Sequence, residues 1–395
     1  MTAGDSAGGD GPAGSSTGGG VAAVVVRPVA SRSDRDRFIR FPWRIYGDDP
    51  VWVAPLISEV RAAIDPARHP FHEHAEVELF LAWRGAEVVG RIAAILNRTH
   101  IEVHEEKAGF FGLFESINDP VVSRALLRAA GTWLHERGMQ IIRGPMNLST
   151  NDELTSPGVL IDGFDSPPVL LMGHTPAYYA PLLEGDGFTK SKDLLAYWME
   201  NVVQERFTRF AERIRERHNV RIRHLDMQHF EADVALVQRI YNAAWERNWG
   251  FVPMSEAEIR HMAKSFRPIV VPEYVLLAFV GDEPVGFSLL LPDYNVALKR
   301  VNGRMFPFGV VRFLWHRRRI HTVRMLTLGL IPEYRNRGLD ALLIHSQILT
   351  SLGKGVTGGE CSWILEDNWE MRRGLERMDA YVYKTYRVYE KALPG

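Results

Sequence analysis

Apolar and polar positions along this chain spell out one order of elements twice. Val21 to Val29 alternates as a strand does, and helical spacing follows from about Ser33 to Ile45 and from Leu56 to Ile64, on either side of the loop Gly47-Asp48-Asp49-Pro50. Val77 to Trp83 and Glu87 to Leu96 form a hairpin about Arg84-Gly85-Ala86. Gly109 to Glu115 predicts a further strand. Asp119 to Arg137 predicts a helix capped by Asp119 and stopped by Gly138, and Gln140 to Gly144 a strand. A loop rich in Gly, Pro, Asp and Ser runs from Pro145 to Pro168.

The order then recurs. Arg221 to Asp226 is a strand, Ala232 to Trp245 and Glu256 to Phe266 are helices, and Tyr274 to Val280 with Pro284 to Leu291 is a hairpin about Gly281-Asp282. The two hairpins align without a gap: Ala82, Gly85, Glu87, Val89 and Gly90 fall on Ala278, Gly281, Glu283, Val285 and Gly286. Ala125-Leu126-Leu127 likewise matches Ala341-Leu342-Leu343, and Asn151 sits near where Asn368 falls. A duplicated α/β unit accounts for this, with the charged helix Gln204 to Arg217 joining the copies. The expected layout is a disordered tail over 1–20, a first unit over 21–200, a linker helix over 201–218 and a second unit over 219–395. Each unit is a mixed α+β fold, a central mixed sheet flanked by helices.

The copies differ at one turn. Arg324 to Ile331 reads as a buried strand that Pro332 ends, and Arg335, Asn336, Arg337 and Gly338 follow. Leu339, Leu342, Leu343, Ile348 and Leu352 then recur at helical spacing as far as Gly353. Free N–H groups at a helix start, a glycine that lets backbone approach and two arginines suit a diphosphate. The alternative is an ordinary basic strand-to-helix turn. No GxxxxGK[ST] is present, and no GxGxxG follows a strand. The first copy carries Asp119-Pro120-Val121-Val122 there, a carboxylate in place of a cation and no glycine. One diphosphate site is expected, in the second half.

This strand, turn and helix resemble the acyl-CoA site of the GNAT acetyltransferase superfamily. Its turn reads Gln/Arg-x-x-Gly-x-Gly/Ala, which Arg335 and Gly338 match and Asp340 does not. Five stretches are similar to the bacterial ceramide synthase-like acyltransferases: FPWRIYGDDPVWVAPL (41–56), GFFGLFE (109–115), GPMNLSTNDELTSPGVLIDGFDSPP (144–168), YNAAWERNWGFVPMSEAE (241–258) and SWILEDN (362–368). The resemblance runs from about 35 to 393. It implies two GNAT units in tandem and transfer of an acyl group from acyl-CoA, or acetyl-CoA, to the amine of a sphingoid base or related lipid, without a metal. The alternatives are an N-acetyltransferase acting on a small-molecule amine and a non-catalytic acyl-CoA-binding scaffold.

The resemblance also assigns residues. Backbone N–H groups at Leu328 and Leu330 would meet the thioester oxygen, and Arg335, Asn336, Arg337, Gly338, Leu339 and Asn368 would hold the cofactor. The superfamily's acidic tyrosine lies seven residues past the asparagine, where this chain has Leu375. Tyr383, or its neighbours Tyr381, Tyr386 and Tyr389, replaces it, or the thiolate leaves unaided. The amine must lose a proton, and Glu366 and Glu360, at even spacing on one strand, are the candidate bases; the alternative is a solvated strand face. Asn368 also reads as a turn cap.

The long loop and the segment after it are dense in polar groups: Asn151, Asp152, Glu153, Asp162, His174, Tyr178 and Tyr179. They read as an acceptor site or as turn-holding residues. Asn242, Trp245, Glu246, Trp249 and Phe251 read as the wall of an acceptor tunnel or as core. His69, His72 and His74 flank Pro70 and lack the spacing of a metal site.

Composition narrows the setting. A formal net charge of −1 over 395 residues gives no global attraction to nucleic acid. Cys361 is the lone cysteine, so no intramolecular disulfide forms and a reducing, cytoplasmic setting is expected. As a thiol without a neighbouring base it reads as a small buried residue. Met1 to Gly20 has no basic start and no apolar segment, unlike a secretion signal. FPFGVVRFLWHRRRI, 306–320, mixes large apolar residues with arginines, which suits a short helix at the inner membrane face or an element packed on its own domain.

Overall fold

The computed structural model describes residues 22–394 apart from 152, 153, 246 and 247. The tail 1–20, Asp152, Glu153 and Glu246 therefore lie outside the described residues. The first half runs β1 (Val24–Pro28), α1 (Arg32–Arg40), α2 (Pro42–Tyr46), α3 (Ile57–Ala63), β2 (Ala75–Arg84), β3 (Glu87–Asn97), α4 (Arg98–His104), β4 (Ala108–Ser116), α5 (Pro120–His135), β5 (Ile141–Gly144), β6 (Val159–Asp162), α6 (Tyr179–Glu184) and β7 (Thr189–Glu200). After α7 (Glu205–His218) come β8 (Val220–His224), α8 (Phe230–Trp245), α9 (Glu256–Phe266), β9 (Val275–Val280), β10 (Glu283–Pro292), α10 (Asn295–Leu298), α11 (Gly309–His316), β11 (Thr322–Leu330), α12 (Leu339–Leu352), β12 (Gly358–Leu365), α13 (Trp369–Glu376) and β13 (Tyr381–Ala392).

Local chemistry sets these elements. Asp119 accepts from Val121 N at the start of α5, and Val122, Leu126, Ala130 and Leu134 recur on the face that α5 buries. Ser255 and Glu258 close a capping box on α9. The expected loop from Pro145 to Pro168 contains β6, a four-residue strand whose Val159 and Leu160 are buried. It is too short for periodicity to reveal and is fixed by pairing with the distant Tyr386 and Arg387.

The strands form one sheet in the order β1-β2-β3-β4-β5-β13-β7-β12-β11-β10-β9-β8, with β6 beside β13. The halves exchange their last strands. β13, from the end of the chain, pairs with β5, and β7 pairs with β12. Side chains also bridge the halves: His74 meets Glu258 at 3.0 Å, and the amide of Asn151 accepts from Tyr241 at 2.8 Å and donates to Val252 O at 2.6 Å.

Each half contains a pair of parallel strands that part. β11 pairs with β12 at Thr322–Met325 and Gly358–Cys361, after which the registered pairing stops. Leu326 is an extra residue in the β10–β11 register, a bulge that turns the edge of β11. In the first half β4 pairs with β5 at Ala108–Phe110 and Ile141–Arg143. There the chain fills its own gap. Met146 N donates to Phe111 O at 2.7 Å, and Leu113 N donates to the Asn147 side chain at 2.9 Å. A Cβ on Gly112 would stand 1.7 Å from Met146 O. Gly112→Ala should therefore lower stability by about 3 kcal/mol or more. Gly374→Ala, where a Cβ meets open space in α13, should be near neutral or mildly stabilising. Equal denaturation midpoints for the two variants would show that the first gap is not filled.

Candidate active site

The turn before α12 has the shape the sequence suggested. Asn336 has φ 57° and Gly338 φ 80°, so successive N–H groups converge as in an anion-binding nest. The N–H groups of residues 336–341 find no acceptor among the described residues. Arg335 stands at the rim, donating to Ala244 O at 2.5 Å. The turn opens on a cleft of ≈ 1330 Å³ between α7, α12 and α13. Arg206, Arg213, Arg335, Arg373 and Arg377 line it along with Lys192, and Asp340, Asp367, Glu370, Glu376 and Asp379 also face it. In the first half Asp119 caps its own helix and meets Arg84 at 2.5 Å, so that turn is already satisfied.

From the nest the cleft runs along the open edge of β11. Ile331 N donates to Val285 O, so alternation points the N–H groups of Leu330 and Leu328 away from β10, into the gap beside β12. Beyond them lies a second cavity of ≈ 210 Å³ beneath α8 and α9. Trp245, Asn248, Trp249, Leu328 and Asn368 border both spaces. The inner cavity is walled by Tyr241, Phe251, Met262, Phe266 and Leu289, among others. Its ionisable groups among the described residues are Tyr241, Arg324 and Cys361. Tyr241 is bonded to Asn151. Arg324 donates to Ser362 Oγ at 2.9 Å and Leu170 O at 2.9 Å. Burial pushes the Cys361 thiol up to about 12, so it stays protonated near neutral pH.

A carboxylate sits one hydrogen bond behind this cavity. Glu360 is 1% exposed, and Ser362 Oγ and the Tyr383 hydroxyl each donate to one of its oxygens. Burial raises its affinity for a proton and the nearby Arg324 guanidinium opposes this, with burial prevailing. The same burial, with the Glu360 charge, drives the Tyr383 hydroxyl far above its ordinary range. Asp293, at the end of β10, accepts from Leu170 N at 2.9 Å and Asn295 N at 3.2 Å, and burial pushes it up to about 7.

Leu328, Leu330, Arg335, Asn336, Gly338 and Asn368 thus border the cleft, and Asn151, Trp245 and Trp249 the inner cavity. Asn368 caps α13 as well, accepting from Met371 N at 3.3 Å. Several expected residues lie elsewhere. Glu366 falls beyond β12, because an irregularity between Cys361 and Ile364 ends the two-residue alternation. Its side chain meets Lys190 at 2.5 Å and Asp193 N at 3.1 Å. Tyr179 is fully buried in the first half, with its hydroxyl on Glu115 at 2.6 Å. Asp162 is exposed at the end of β6, and Asn242 holds the turn before α9 through Met254 N at 3.4 Å. Arg337 stacks on Tyr334 at 4.9 Å, and the Leu339 side chain is core, leaving only its N–H to the nest.

Sequence reasoning missed α7, read as a linker, which supplies Phe210 and Arg213 to the cleft. The spacing of Phe207, Phe210 and Ile214 carries that signal, an apolar stripe on a charged helix. It also missed Ser362, which nothing in its neighbours marks.

No protein-family model matches the chain. It is 37% identical over 381 residues to the bacterial ceramide synthase of Caulobacter vibrioides, across 93% of this chain and 97% of that protein. It is 34% identical over 378 residues to the protein YghO of Escherichia coli K12, across 93% of this chain and 95% of that one. In three dimensions it matches a tandem GNAT protein from the clavulanic acid biosynthesis pathway with a TM-score of 0.55 at 11% identity, covering 94% of this chain and 99% of that chain. The fold is that of a tandem GNAT protein, and the protein is an acyltransferase. The chain belongs to the bacterial ceramide synthase family.

The buried polar group beside the cavity has a measurable signature. Asp293 binds its proton more tightly folded than unfolded, where an aspartate titrates near 3.9. The contribution of Asp293 to stability is thus full below about pH 4 and is lost as pH rises through about 7. Asp293→Asn keeps the acceptor for Leu170 N and does not titrate. From pH 5 to pH 8 its stability relative to the parent should improve by about 3 kcal/mol in urea unfolding. A difference constant over that interval would contradict the assignment.

Proposed function

We propose that the second half holds acyl-CoA in the open cleft and passes its acyl group to the amine of a sphingoid base or related lipid amine in the cytoplasm. The observation that carries this reading is the continuity of the nest, the open β11 edge and a largely apolar cavity with no carboxylate among its described residues. The diphosphate sits on the N–H groups of 336–341 and Arg335, where anion and helix dipole attract. The pantetheine arm lies against β11 as an added strand would, taking up the unpaired N–H groups. At the parting, Leu328 or Leu330 N–H stabilises the tetrahedral oxyanion. A small cationic amine would find no carboxylate among the described residues of the inner cavity, whereas an alkyl chain would meet Tyr241, Phe251, Met262, Phe266 and Leu289.

Glu360 is the proton acceptor in this reading. The amine gives its proton to Ser362 Oγ as that hydroxyl gives its own to Glu360, and the amine nitrogen attacks the thioester carbon. The C–N bond forms, the C–S bond breaks, and CoA departs as thiolate. Tyr383 is committed to holding Glu360. A thiol of ordinary acidity, about 8.5, leaves without it. The protonated Cys361 argues against a covalent acyl-cysteine.

Two experiments test this. Calorimetry should show acyl-CoA bound 10- to 100-fold more weakly by Arg335→Ala, and turnover of acyl-CoA should appear with long-chain amines and not with short polar ones. Unchanged affinity removes the cradle, and activity confined to short polar amines removes the lipid reading. Separately, Glu360→Gln should cut kcat by about 100-fold or more, flatten the pH profile and leave acyl-CoA affinity unchanged. A variant of near-parental kcat would place the base elsewhere.

A further inference from the structure

Between β10 and β11 the second half carries a segment, 293–321, with two short helices. It is anchored by bonds that leave one side free. The Tyr294 hydroxyl donates to Ile269 O at 2.8 Å, Asn295 donates to Pro168 O at 2.8 Å, and Trp43 of the first half donates to Asn302 at 2.8 Å. Phe313 turns inward onto Tyr294, ring to ring at 5.7 Å. The outward side is apolar. Phe306 is 82% exposed, Phe308 72%, Val311 68%, Trp315 63% and Leu314 44%. Val311, Leu314 and Trp315 are spaced to share one face of α11.

Beyond Asp293 the segment's own charge has one sign. Residues 294–321 contain Lys299, Arg300, Arg304, Arg312, Arg317, Arg318 and Arg319 and no aspartate or glutamate. Among the described residues none of these seven forms a salt bridge. We propose that this face, 306–319, seats the protein on an anionic lipid bilayer, with Phe306, Phe308, Val311 and Trp315 at the acyl boundary and Arg312 with Arg317 to Arg319 on the headgroups. Both halves of the pattern are needed for that conclusion. A nucleic acid would use the arginines and leave five large apolar side chains in water, and a second copy would bring like charges together. Anionic lipid satisfies both. No helix among the described residues is long and apolar enough to cross a membrane, so this is contact at the surface.

The position is also apt. Asp293, at the base of the segment, holds Leu170 N, and Leu171 lines the inner cavity. Ile269, which anchors Tyr294, lies three residues past Phe266 of the cavity wall. A lipid amine would leave the bilayer beside the cavity. The docking rests on 306–319 alone and holds whatever the acceptor.

The test uses the full chain, and its binding arm needs no substrate. Sedimentation with phosphatidylcholine vesicles, with and without about a third phosphatidylglycerol, should show about tenfold stronger binding to the anionic vesicles, weakened by added salt. Val311→Asp with Trp315→Asp should remove most of that binding. Acyl transfer to a detergent-dispersed amine should be unchanged in these variants, since neither residue borders the cleft. Equal sedimentation of parent and variant, or equal binding to neutral and anionic vesicles, would overturn the proposal. So would tight binding to single-stranded RNA that survives the apolar substitutions and is lost in Arg317→Glu/Arg318→Glu/Arg319→Glu.

Discussion

The second half is organised around a strand edge that has no paired strand among the described residues. A buried N–H without a partner costs as much as a lost hydrogen bond, so folded chains seldom leave a row of them. β11 leaves one where β12 departs beyond Met325 and Cys361. The first half meets the same parting and closes it with Met146 and Asn147. One duplicated architecture thus gives two outcomes. In one the gap is filled by the chain and contributes to stability. In the other it stays open at the end of a nest and a largely apolar cavity, where the proposed cosubstrate, with amides of its own, would complete the sheet.

The first half still belongs to the site. β12 is gripped on its far edge by β7, so the strand forming one lip of the gap is positioned by the first half. Thr150, Asn151 and Leu171 add first-half surface to the inner cavity, and Asn151 fixes Tyr241 and Val252 across the boundary. A cut between residues 200 and 219 would divide the chain without dividing the sheet, because the exchanged strands β7 and β13 lie side by side at its centre. The base in this reading depends on the same exchange, since Tyr383 of β13 reaches Glu360 of β12.

What was legible in the sequence was local. The repeat, the hairpins and the Arg335–Gly338 turn each rest on periodicity or turn chemistry within a few residues, and the structure reproduces their positions. Glu366 was misread because period-two reasoning holds only while a strand stays regular, and the irregularity after Cys361 breaks it. Tyr179 looked like a site residue because it follows a polar loop, yet its hydroxyl serves the buried Glu115, a partner 64 positions away. The cleft wall on α7 was missed for a related reason. A charged helix between two units reads as a connector until packing shows its apolar stripe, with Ala211 and Ile214 buried, against α12.

In the proposed reading, burying a carboxylate beside a largely apolar cavity resolves a conflict in the chemistry. A carboxylate exposed on that cavity's wall would be costly to desolvate, yet the amine needs an acceptor for its proton. Setting Glu360 one hydroxyl back leaves Ser362 on the cavity wall and keeps the charge among Arg324, Tyr383 and the inner strands. The same burial that raises Glu360 makes it a better base than a solvated glutamate, and the Arg324 guanidinium opposes that rise. Asp293 shares this region, and the Glu360 charge helps to hold its proton on. Two carboxyls near one guanidinium titrate together, so the proton one gains is felt by the other. In the proposed reading such a site shows its substrate no carboxylate and is basic only through a single hydroxyl.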